Sequence, residues 1–235
     1  MPNKIAATPI AILGMHRSGT SCLTGLLKDS GVWLGAVSKE NPHNAKGNQE
    51  SIAVMNLHEQ VLADSHAAWD SPPVHDCVWQ AQRIIELKKI IATYPSDRVW
   101  AVKDPRACFT ITEWKRQLPN LTFIGTFRHP TAVAASLNKR DPTLPPEKGV
   151  SLWCQYNRKL LELHAQYQFP IVCFDLPARQ YLEQISSAFS ILGLRLAPAE
   201  ATFFDVRLRS TLDKQIPSVS KEATAIYREL SDHAG

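Results

Sequence analysis

The stretch Gly14-Met15-His16-Arg17-Ser18-Gly19-Thr20-Ser21 sets two glycines five residues apart around a cation and a hydroxyl, and two more hydroxyls follow. An apolar run, Ile10–Leu13, precedes it, and a helix-spaced set, Leu23, Leu26 and Leu27, follows and stops at Gly31. Strand, glycine loop and helix in that order make a phosphate cradle, because backbone N–H groups and the positive end of the helix converge on one anion. His16, Arg17, Ser18, Gly19, Thr20 and Ser21 are therefore candidate ligand-binding residues. A nucleoside-triphosphatase loop would place lysine before its last hydroxyl, to reach the β- and γ-phosphates of a magnesium nucleotide. Here Thr20 holds that place and the cation, Arg17, lies inside the loop. The exchange favours a transferable group of lower charge, such as a sulfuryl group, which Lys and Arg hydrogen bonds neutralise without a metal ion.

A second constellation is Thr126-Phe127-Arg128-His129-Pro130, leading through Thr131 and three alanines to Ser136. Proline suits the first turn of a helix, so a strand ends near Arg128 and a helix carries Ser136 about two turns later. Both residues can face the crevice at the carboxyl ends of the strands, where an arginine and a hydroxyl clamp a second phosphate. Lys103 follows another apolar run, Val99–Val102, and stands at a strand end beside the cradle. It is a candidate for neutralising a leaving phosphate; an ion pair with Asp104 or Glu113 is its plainer role.

These residues need rigid elements behind them. Four short apolar runs, Ile10–Leu13, Val99–Val102, Leu121–Phe127 and Ile171–Phe174, read as strands buried on both faces. Between them Ile84, Leu87, Ile91 and Tyr94, and later Val150, Trp153, Tyr156, Leu160, Leu163 and Tyr167, recur at helical spacing. Alternation of this kind predicts a three-layer α/β/α sandwich with a central parallel sheet. One domain over residues 1–235 is expected, with a core at about 8–195 and a C-terminal extension over 196–235 that holds a helical pattern near Glu222–Leu230. The proline-rich segments Asp70–Asp76 and Lys139–Lys148 read as loops, each a candidate lid.

The chain carries 26 Lys+Arg against 22 Asp+Glu, a net +4, with 20% charged residues, which suits a globular protein with an anionic ligand. No basic block of five residues calls for nucleic acid. The five cysteines are scattered, without CxxC or zinc-finger spacing, so reduced thiols and a cytoplasmic location are expected. No run of 18 apolar residues predicts a membrane span. The remaining histidines, His58 among them, form no metal-spaced set and default to surface or packing roles.

The loop HRSGTS resembles the 5′-phosphosulfate loop of the sulfotransferases that use 3′-phosphoadenosine 5′-phosphosulfate (PAPS). FRHPTAVAAS resembles their 3′-phosphate motif, and Lys103-Asp104-Pro105 is similar to a segment of tyrosylprotein and many bacterial members. The resemblance spans about Ile10 to Asp175 and implies a phosphate-loop nucleoside-triphosphatase-like sandwich. It implies PAPS as donor, a small-molecule, carbohydrate or lipid acceptor, no metal, and Arg17 and Lys103 at the leaving phosphate. It also implies Glu50 as the base, in a stretch Asn41…Gly47…Glu50 followed by Trp69, and Arg207 or Arg209 near the 3′-phosphate. An enclosed carboxylate makes an effective base when burial raises its pKa; the plainer role of Glu50 is a charge at a helix N-terminus. Where the cytosolic branch carries its histidine, this chain has Asp104 and Pro105. The residues themselves also admit a small-molecule kinase, with Asp104 holding magnesium, or a nucleotide-binding protein without catalysis.

Overall fold

The computed structural model describes residues 8–38, 47–196, 203–204 and 219–234. Arg207, Arg209 and the part of the Glu50 segment before Gly47 lie outside them. The elements in chain order are β1 (Pro9–Leu13), α1 (Thr20–Asp29), α2 (Ile52–Asp64), α3 (Ala81–Ile91), β2 (Trp100–Lys103), α4 (Ala107–Gln117) and β3 (Thr122–Phe127). There follow α5 (Pro130–Arg140), α6 (Pro146–Tyr167), β4 (Ile171–Cys173), α7 (Ala178–Ile191) and α8 (Lys221–His233).

All three strand pairings are parallel and the sheet order is β2-β1-β3-β4. Side chains alternate across a strand, and β1 shows where each set goes. Ile10 and Ile12 pack with Leu23, Leu26 and Leu27 of α1 and with Tyr181, Ile185 and Phe189 of α7. Ala11 and Leu13 face the other layer, which holds Leu57 and Val61 of α2, Trp114 of α4, Leu160 of α6 and Leu230 of α8. The three expected layers are present, and every residue of β1 is buried because both faces are covered. Since β1 pairs with β2 on one side and β3 on the other, the chain reverses direction across the sheet between them. The crevice at such a switch point lies between the carboxyl ends of β1 and β3, where the loop after Leu13 and the turn at Arg128 begin.

The Lys139–Lys148 segment departs from its expected loop. Helix α5 runs through Arg140 and α6 starts at Pro146, so only residues 141–145 are non-helical. Proline at the first helical position lacks an N–H that would have no intrahelical partner anyway, which is why Pro146 opens α6 instead of barring it. The two helices approach closely at Gly149, where an added Cβ would lie 2.9 Å from the Ala134 Cα. Gly149→Val is expected to lower unfolding stability in urea by about 1–3 kcal/mol, overpacking outweighing any gain in helix propensity. An unchanged midpoint would show that the helices part at no cost.

Candidate active site

The loop between β1 and α1 is shaped by close approach. A Cβ on Gly14 would stand 2.4 Å from the Thr126 carbonyl oxygen, and one on Gly19, at φ +84°, would enter the Phe174 ring at 2.3 Å. Arg17 itself takes a left-handed φ of 66°, a conformation non-glycine residues rarely adopt. Thr126 Oγ1 donates to the Ser18 carbonyl oxygen at 3.0 Å and ties the loop to β3. Gly19 as N-cap offers no side-chain acceptor and α1 has no acid in its first turn, so no carboxylate there neutralises the positive helix end. Two buried polar atoms in the loop, Ser18 Oγ and His16 Nε2, have no hydrogen-bond partner among the described residues. Burial first, then the positive charges of Arg106 and Lys103 against the opposing pull of Asp104, holds the His16 imidazole well below its ordinary pKa. The ring is therefore neutral, standing edge-on to Trp69 and Tyr156.

Lys103, the last residue of β2, meets this loop from the other side. Its Nζ donates to Glu50 Oε1 at 2.5 Å, to the Asn48 carbonyl at 3.1 Å and to Ser21 Oγ at 3.2 Å. Ser21 Oγ donates in turn to the same Asn48 carbonyl. Lysine and glutamate side chains are 3% and 7% exposed, so this is an enclosed ion pair at the edge of the cradle. The plainer alternative for Lys103, an ion pair with Asp104 or Glu113, is not the pair formed; Glu113 binds Arg116 and Gln117. Glu50 precedes Ser51, the N-cap of α2, and is enclosed as a base would be, with an ammonium as its immediate neighbour.

A line of arginines crosses the crevice. Arg17 Nε donates to Ser136 Oγ at 2.7 Å. Burial, then the charges of Arg140 and Arg128, pull the Arg17 guanidinium below its ordinary pKa, so the three cations share one neighbourhood. Arg128 Nε donates to Asp175 Oδ1 at 3.0 Å, and its guanidinium carbon lies 5.5 Å from the Phe174 ring centroid. Asp175 Oδ2 also accepts from the His129 N–H, and Trp153 Nε1 donates to the Arg128 carbonyl, so the turn after β3 is held from both sides. Arg128 and the cradle are thus on one side of the sheet, joined through Phe174. Sequence reasoning missed Asp175 and Arg140. The signal for Asp175 was an acid directly after the fourth apolar run, hence at a strand's carboxyl end.

Asp104 does a different job. Its Oδ1 accepts from Arg106 N at 3.0 Å and from Arg106 Nη1 at 2.8 Å, and its Oδ2 accepts from His58 Nδ1 at 3.0 Å. Trp114 Nε1 donates to His58 Nε2 at 2.9 Å. An indole N–H only donates, so His58 Nε2 is the acceptor and Nδ1 carries the proton of a neutral ring. Burial opposes ionisation of Asp104, yet the His58 hydrogen bond and the Arg106 guanidinium and N–H hold its carboxyl far below the usual range. Both carboxylate oxygens are committed to this brace beneath Lys103.

A sequence profile of the sulfotransferase family matches residues 9–183, well over half of the chain. The chain belongs to the sulfotransferase family. No curated protein matches it at a significant level. Among solved structures it is similar to the sulfotransferase domain of the olefin synthase of Synechococcus PCC 7002, at TM-score 0.60 and 16% identity over 98% of this chain and 97% of that one. A sulfotransferase of Mycobacterium tuberculosis gives a TM-score of 0.48 at 13% identity over 97% and 78%. The first likeness carries the fold, a phosphate-loop type of α/β sandwich around a parallel sheet.

The sulfotransferase cradle fits a nucleotide bearing two anionic ends. A glycine that no larger residue replaces, an orphaned buried hydroxyl at Ser18 and an uncapped helix start are the features that suit one anion. The positive charge of Arg128, with Arg17 and Ser136 alongside, suits a second. Ser136 bonds Arg17 here, a partner that spacing alone did not indicate. None of the five cysteines forms a disulfide, and among the described residues no helix is long and apolar enough to cross a membrane.

Proposed function

We propose that this sulfotransferase takes PAPS as donor and moves its sulfuryl group to a hydroxyl or amine of a small-molecule, carbohydrate or lipid acceptor, releasing adenosine 3′,5′-bisphosphate. The observation that carries the reading is the Lys103–Glu50 pair seated on Ser21 of the loop, with Arg17 of the same loop near Arg128. His16 to Ser21 hold the 5′ end and Arg128 with Ser136 hold the 3′-phosphate. Bound there, PAPS supplies a sulfuryl group on a phosphate leaving group. Glu50 accepts the acceptor's proton at Oε1, and Lys103 and Arg17 compensate the negative charge that collects on the leaving oxygen. Because Lys103 bridges Glu50 and Ser21, it can pass from one to the developing charge with little movement. No step calls for a divalent ion. A kinase reading gains nothing from Asp104, whose oxygens serve Arg106 and His58.

Calorimetry with adenosine 3′,5′-bisphosphate and with magnesium ATP tests the proposal. The bisphosphate is expected to bind more tightly; the reverse order overturns it. Arg128→Ala is expected to weaken the bisphosphate about ten- to a hundredfold, the worth of one or two charge-assisted hydrogen bonds. Adenosine 5′-phosphosulfate, without the 3′-phosphate, should hardly notice the change, and equal losses for both ligands would remove the assignment of Arg128.

A further inference from the structure

Arg140 lies one helical turn beyond Ser136 on α5, on the same face. Among the described residues its guanidinium makes no hydrogen bond and no ion pair, and it lies against the Trp69 ring, 5.0 Å from the centroid. The adjacent acid feels its charge but makes no ion pair with it: Asp141 Oδ1 accepts from Thr143 N and Thr143 Oγ1. Trp69 is a fixed platform, since Tyr156 Oη donates to its carbonyl at 2.9 Å and the His16 ring stands 5.0 Å from the indole. An unpaired guanidinium held on an indole beside Arg17 is a positive site whose counter-ion the described residues do not supply.

Arg140 shares a neighbourhood with Arg17 but has a partner of its own in the Trp69 ring. Arg128 is engaged by Phe174 and Asp175, whereas Arg140 lies on Trp69. The His16 ring, 5.0 Å from that of Trp69, feels the charges of Arg106, Asp104, Lys103 and Arg140 together. Lys103, whose charge His16 feels, is the partner of Glu50, which links this cluster to the base. Building on the donor and base assignments above, we infer that Arg140 on Trp69 is an anion subsite for the acceptor, so that the preferred acceptor carries a carboxylate or phosphate besides its reacting hydroxyl.

The experiment is calorimetry on the protein saturated with adenosine 3′,5′-bisphosphate, titrated with charge-matched pairs. The pairs are para-hydroxyphenylpropionate with its methyl ester, and tyrosol phosphate with tyrosol. The anionic members are expected to bind about tenfold or more tightly than their neutral counterparts, as one charge-assisted hydrogen bond requires, and the better anion distinguishes carboxylate from phosphate. Arg140→Gln should erase that difference and leave bisphosphate affinity unchanged or slightly raised, because a like charge beside Arg17 is gone. Equal binding within each pair, or no binding by any member, overturns the subsite. A loss of bisphosphate affinity in Arg140→Gln overturns it too, by making Arg140 a nucleotide ligand. Absence of bisphosphate binding by the unaltered protein is a separate result, which defeats the donor assignment itself.

Discussion

Glu50→Gln is expected to lower kcat for sulfuryl transfer by about 10²–10⁴-fold, the usual contribution of a positioned general base, while bisphosphate binding persists. The amide keeps the shape of the side chain and can still accept from Lys103 Nζ, which lies 2.5 Å from Oε1, but it cannot take a proton. Lys103 then lacks a counter-charge in an enclosed site, so kcat/KM alone would mix loss of the base with a displaced lysine. The pH profile separates them. A working general base gives kcat an acid limb; the variant should have lost that limb. A variant that retains both the limb and a rate within tenfold of the unaltered enzyme would show that Glu50 only positions Lys103.

The loop, the strand-end lysine and the Arg128 turn were legible because each follows an apolar strand directly, and a parallel sheet sends all such ends to one edge. Glycine spacing located the cradle for the same reason: Gly14 and Gly19 sit where backbone and ring approach too closely for a Cβ. Partnerships across long separations were not legible. Nothing local to Ser136 points to Arg17, 119 residues earlier, and nothing in the order of residues ties Lys103 to Glu50 instead of to the adjacent Asp104. Arg140 was hidden by its surroundings, since the prolines after it suggested a loop where α5 in fact continues to that residue. His58 looked like one more packing histidine. Its role depends on Trp114 and Asp104 reaching it from α4 and from the end of β2, contacts 56 and 46 residues apart.

That network supports the second large effect: Asp104→Ala is expected to destabilise the fold by about 3–5 kcal/mol, the range for breaking a buried ion pair by removing one partner. The Asp104 side chain is fully enclosed and that of Arg106 is 7% exposed, so water cannot replace the lost acceptor cheaply. The substitution strands the Arg106 guanidinium, which keeps only Glu59, together with the Arg106 N–H and His58 Nδ1–H. Its dependence on pH has a definite sign. The folded carboxyl titrates below its unfolded value of about 3.9, so its stabilisation is complete above that value and is lost as the pH falls through the lower folded one. Denaturant melts of the two proteins should therefore differ by a constant amount above about pH 5, and the gap should narrow on going below about pH 4. Asp104→Asn, which can still accept from Arg106 but turns an amide toward one of its donors, should fall between them. A gap that stays constant into strong acid would mean that Asp104 contributes through volume rather than charge, and the brace beneath Lys103 would then be one of packing.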